Sequence, residues 1–170
     1  MDNRSNFRCR WRSIKFNMKK FLYVLAFCLT SQLLLAAGNG GGSSEVDYYK
    51  EAVSLVKRAG KLETKGKLEK AKKLYSKAFK NLEKADKKDK NNPDILNYMG
   101  FTSRKIGNFA EAENYYLSGL KINPNHNGIN EYLGELYVQT GKIDKAKERL
   151  KVLSNCNCEE FKELELIIKL

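Results

Sequence analysis

Two cysteines separated by one residue, Cys156 and Cys158, are the side chains of this sequence best suited to covalent or metal chemistry. As thiolates they are nucleophiles and soft-metal ligands. In an oxidising compartment they can close on each other, although a Cys-x-Cys bridge is geometrically tight and easily reduced. Two ligands are too few for a closed zinc site. A mutual disulfide, a half-site for a soft metal, a bond to a second chain, and two idle thiols in a turn all stay open. The lone histidine, His126, has no Asp, Cys or Ser partner at a suggestive spacing and reads as a turn residue. No phosphate loop, Ser/His/Asp set or haem-attachment motif occurs. The expectation is a chain that is not an enzyme, with no catalytic residues, no cofactor and no resident metal.

The other candidates act through charge. The formal net charge is +12, but it is unevenly placed. Residues 57–90 hold 14 Lys and Arg against five acids, and residues 1–20 hold seven against Asp2 alone. In the stretch 69–90, Lys73, Lys77, Lys80, Lys84 and Lys87 recur at helical spacing on one side, opposite Ala71, Leu74, Tyr75, Ala78 and Leu82. Such a row can neutralise an acidic polymer or lipid head groups. No aromatic residues alternate with it, as a single-strand nucleic-acid binder would require. A solvated face is the simpler reading, and nucleic acid is not expected as a partner.

The basic head is followed by an uncharged apolar run, "FLYVLAFCLTSQLLLAAG" at 21–38, ending in small residues. That order is the order of an export signal, cut near Ala36-Ala37-Gly38 or kept as an anchor at the short end of what spans a bilayer. Met18 before Lys19 and Lys20 is a more natural start than Met1. The expectation is an exported protein, periplasmic or tethered to the membrane and facing the periplasm. Residues 38–44, "GNGGGSS", form a spacer that reaches about 15 Å as a flexible coil.

What positions any site is a repeat. The cores "GKLEKA" at 66–71, "GNFAEA" at 107–112 and "GKIDKA" at 141–146 superpose, 41 and then 34 residues apart. One 34-residue period is thus enlarged once by seven residues, two helical turns. Ala112, Tyr116 and Gly119 fall at i, i+4 and i+7, a single helix face on which small side chains let a neighbour approach closely. Gly107 and Gly141 suit turns that a Cβ would strain. Near the end, Phe161, Leu164 and Ile168 make an apolar stripe behind Glu159 and Glu160, and Asn157 with Glu160 fits a capping box.

This pattern resembles the tetratricopeptide repeat. The middle repeat supplies Leu96, Met99, Gly100, Gly107, Ala112, Tyr116, Gly119 and Pro124, and the third supplies Leu133, Gly134, Tyr137, Gly141, Ala146, Leu150 and Leu153. The first supplies Leu55, Ala59, Leu62, Gly66, Ala71, Tyr75 and Ala78. The family's tryptophan place holds Leu55, Leu96 and Asn130, and its closing proline is missing from the first and third repeats. The resemblance implies an all-α, right-handed α-α superhelix of about three repeats with a C-terminal capping helix. The implied organisation is a leader at 1–38, a linker at 39–47 and a repeat domain at 48–170. Its repeats run 52–85 (extended to 92), 93–126 and 127–160, and the cap is 161–170.

By the family's pattern the first helices of the repeats line a concave face. Mapped onto this sequence, that face carries Asp94, Asn97, Phe101, Arg104 and Lys105, then Glu131, Glu135, Val138 and Gln139. The implied function is a scaffold of the cell envelope that holds a protein or peptide there, Phe101 beside two cations and the glutamates reading positive charge. The Lys/Asn carboxylate clamp of some chaperone-binding relatives is not reproduced. The tail also resembles small exported bacterial proteins of this kind, in which a cysteine pair precedes a Glu-Glu-aromatic helix. That implies Cys156–Cys158 as a structural staple between the third repeat and its cap. The alternatives are a thiol or metal protein working through that pair, and a binder of anionic polymer or lipid through 69–90.

Overall fold

A computed structural model of the protein describes residues 46–170, so the leader and the Gly/Ser spacer at 38–44 lie outside the described residues. Among the described residues there are seven helices and no strand. They are α1 (Tyr48–Glu63), α2 (Leu68–Lys88), α3 (Pro93–Ile106), α4 (Phe109–Ile122), α5 (Asn127–Gln139), α6 (Ile143–Leu153) and α7 (Glu159–Lys169). Each odd helix packs on the next even one, giving three hairpins, and α7 closes the end against α5 and α6. In addition, the backbones of α1 and α3 and of α3 and α5 pack closely, whereas α2 and α4 meet only through long side chains, the Phe79 and Tyr115 ring centroids standing 5.9 Å apart. The stack therefore bends with its first helices on the inner side. This is the all-α solenoid that the repeat spacing predicts.

The repeated alanines set the distances. Ala71, Ala112 and Ala146, one early in each second helix, are at most 1% exposed. In the middle hairpin, a Cβ on Gly100 would stand 2.5 Å from the Tyr116 ring, so only glycine admits that ring against α3. The positive φ of 99° at Gly107 and 75° at Gly141 turns the chain sharply between the helices of the second and third hairpins. The enlarged first period is visible too: α2 has 21 residues where α4 has 14.

Helix starts follow local chemistry. Asp47 accepts from the Lys50 amide at 3.0 Å, and Asn92 accepts from the Asp94 amide at 2.9 Å ahead of Pro93. The capping box expected at Asn157 and Glu160 does not form. The residue ahead of α7 is Cys158, with no side-chain cap, because Asn157 sits one residue too early in left-handed backbone (φ 45°) between the two cysteines. The apolar stripe of α7 behaves as expected: Leu164 is fully buried and Ile168 packs on the α5–α6 core.

Candidate functional site

Phe101, Arg104 and Lys105 lie at i, i+3 and i+4 and so share one face of α3. The structure builds a ladder of rings through that face. The Phe101 ring centroid is 5.9 Å from that of Tyr75 on α2 and 5.0 Å from that of Tyr132 on α5. Arg104 lies over Phe101 and Tyr132, at 5.6 and 6.0 Å, and Lys105 over Tyr75 and Phe101, at 5.6 and 5.7 Å. A cation over a ring face is attracted by the ring's quadrupole.

Both cations already have anionic partners. Arg104 pairs with Glu135 of α5, and Lys105 with Glu63 of α1 at 2.8 Å. The same Glu63 oxygen accepts the Tyr75 hydroxyl at 2.9 Å, and burial together with that bond raises the Tyr75 phenol well above its ordinary range. Burial works against the charge of Arg104, but Glu135 and Tyr116 together outweigh it and hold the guanidinium firmly protonated. Three first helices are thus cross-tied by ion pairs running across the inner face.

Glu131 and Asn97 sit differently from an open surface. Glu131 is 4% exposed, covered where α7 packs on α5. Burial first, then a hydrogen bond with Glu163, then the charges of Glu135, Glu163 and Glu160 push its carboxyl up to about 9. At neutral pH it is therefore a proton donor, with no negative charge to read a ligand. Asn97 is buried against Gly128, and its Oδ1 has no partner among the described residues. Phe101 is half-buried between its ring neighbours. Asp94 and Gln139 are exposed, and Val138 packs on the α5–α6 core.

Several residues were not singled out by sequence. Glu63 was legible, since it stands in the first repeat where Arg104 stands in the second. Tyr75 reads as a packing residue of its repeat, Tyr132 carries no sequence signal, and only the meeting of α2, α3 and α5 makes them a ladder. His126 caps α5: its Nδ1 accepts from the Ile129 amide at 3.2 Å. The ring proton is therefore on Nε2, which donates to Asp94 Oδ1 at 3.0 Å and ties the starts of α3 and α5 together. Asn130, in the family's tryptophan place, is fully buried and donates to the carbonyls of Pro124 and His126 while accepting from Arg149. A cleft of about 430 Å³ lies where α1 begins, lined in part by Tyr48, Tyr49, Asn92, Asp94 and Ile95. Cys156 and Cys158 are joined by a disulfide within the α6–α7 connection, so the bond pins that turn and crosses no helix pair.

A family model described as tetratricopeptide repeat matches residues 104–164. No curated protein matches the sequence. A tetratricopeptide repeat protein from Parabacteroides merdae ATCC 43184 has a solved structure that superposes with a TM-score of 0.50 at 17% identity, over 71% of this chain. The chain spans 59% of that protein's length. The type III secretion translocator chaperone SycD of Yersinia enterocolitica superposes with a TM-score of 0.50 at 16% identity, over 69% of this chain and 80% of its own. At such identities the shared property is the fold.

Proposed function

We propose that this chain, whose residues 104–164 match the tetratricopeptide repeat, is a non-enzymatic scaffold of that kind, binding a peptide or protein segment along the inner face of α1, α3 and α5. The observation that carries the reading is the Tyr75–Phe101–Tyr132 ladder, with Arg104 and Lys105 already matched by Glu135 and Glu63. A face whose charges cancel internally offers the rigid, half-buried rings of Phe101 and Tyr132 to a ligand, backed by buried Tyr75, and such rings lose little entropy on binding. Apolar or aromatic side chains of the partner, rather than a run of positive charge, are what this face fits. A fold neighbour, SycD, is a translocator chaperone, a protein that handles another protein.

The leader read from the sequence puts the scaffold outside the cytoplasm, periplasmic or membrane-tethered, and its partner among envelope proteins. N-terminal sequencing of the protein from the cell envelope tests the location: a start at Met1 or Met18 in a soluble cytoplasmic product would end that part of the reading. For the binding face, a photo-reactive phenylalanine analogue is placed at Tyr98, beside the ladder on α3, and at exposed Leu117 on α4. Irradiation in cells should give an adduct from position 98 that Phe101→Ala removes, and none from 117. Adducts of equal yield from both positions, or none from 98, would overturn the inner-face assignment.

A further inference from the structure

The inner face leaves one large feature unused, the outer side of α2. Lys70, Lys73, Lys77, Lys80, Lys84 and Lys87 fall within an arc of roughly 100° and extend over about 26 Å of helix. All six are exposed. Among the described residues, Lys70, Lys73, Lys77, Lys80 and Lys87 pair with no carboxylate. Lys84 lies over the Tyr48 ring at 4.9 Å. Glu69 is the one acid of α2 inside the arc and Glu83 lies beside it, whereas Asp86 falls on the packed side, near Tyr115. Packing explains why the row points outward: Ala71, Tyr75, Ala78, Leu82 and Ala85 on the opposite side are buried.

We propose that this row is a docking surface for an anionic lipid bilayer. Six like charges held in line with Glu69 as the one acid among them repel one another, and that repulsion is relieved when a dense field of negative head groups replaces their counterions. A straight row matches a plane. Nucleic acid fits less well, since the rings of α2 are turned away: Tyr75 is buried, and Phe79 packs into the α1–α2–α3 core. The position of the row agrees with a membrane. Lys84 against Tyr48 puts the C-terminal end of the row at the start of the described chain. Ahead of that point in the sequence come the Gly/Ser-rich residues 38–44 and the apolar run 21–38. The surface is separate from the inner face, so both can be engaged together.

Lysine footprinting on the full chain tests this. The protein is treated with an amine-acylating reagent alone, with neutral phosphatidylcholine vesicles, and with vesicles in which about a third of the lipid is phosphatidylglycerol. Acylation at each lysine is then read by mass spectrometry. At roughly fivefold in affinity per lysine near an anionic surface, Lys73, Lys77 and Lys80 should be protected several-fold by the anionic vesicles alone. High salt should restore their labelling, while exposed Lys121 and Lys151 stay unchanged throughout. In the variant Lys73→Gln/Lys77→Gln, protection of Lys70 and Lys80 should fall. Equal labelling with and without anionic vesicles, equal protection by neutral vesicles, or stronger protection by a single-stranded homopolymer at the same charge concentration would overturn the assignment.

Discussion

Gly134 of α5 faces Leu164 of α7 so closely that a Cβ on the glycine would stand 2.5 Å from a leucine methyl carbon. The cap is seated by the absence of one carbon atom. Gly134→Ala should overpack this contact and destabilise the protein by about 1–3 kcal/mol, read as a lower urea midpoint. Adding Leu164→Ala should recover part of that loss, because the second change opens the space that the first one fills. Strict additivity of the two changes would show that α7 does not depend on this contact.

Tyr116 is fully buried, and its hydroxyl sits beside the Arg104 guanidinium without a well-aligned hydrogen bond. Removing an unsatisfied polar atom relieves a desolvation cost. Tyr116→Phe should therefore leave stability within about 0.5 kcal/mol or raise it slightly. A loss of about 1 kcal/mol or more would mean the hydroxyl is bonded in solution.

Glu131 makes stability pH-dependent in an unusual direction for a carboxylate. Its ordinary value is 4.5 and the folded protein holds it at about 9, so between those values the folded form carries a proton that the unfolded form has released. Its contribution is complete below the lower value and is lost as pH rises through the window towards the upper one. Urea midpoints measured at about pH 5.5 and about pH 8.5 should fall with pH, and Glu131→Gln should flatten the difference. An equal slope in the variant would assign the dependence to other groups.

Arg104 is 11% exposed and its partner Glu135 18%. Arg104→Ala should cost roughly 3 kcal/mol, because it strands Glu135 in a largely dry setting. Arg104→Leu combined with Glu135→Leu should cost clearly less than Arg104→Leu alone, which a double-mutant cycle in urea measures. A double variant as unstable as the sum of its parts would make the pair unimportant. For the same reason Arg104 is a poor choice for testing binding, whereas Phe101→Ala leaves the ion pairs in place.

The sequence by itself determined the hairpins. Gly66, Gly107 and Gly141, each followed five residues later by an alanine, mark three turns and three close helix contacts, and all three alanines are buried. It also determined the cap, because the Phe161–Leu164–Ile168 stripe has a helix's period and needs no distant partner to be recognised. These are local signals, carried by residues within one or two turns of each other. What the inner face is made of was decided only by the stack. Asn97 and Glu131 hold positions that point inward within a single repeat, yet Gly128 and α7 cover them once the next unit packs on. Periodicity says which side of a helix a residue occupies, but not which neighbour arrives there. The ion pairs Arg104–Glu135 and Lys105–Glu63, and the hydrogen bond with Glu163 that helps hold a proton on Glu131, join side chains 31 or more residues apart. Their energies depend on distance and burial across helices, and neither quantity exists until the helices have met.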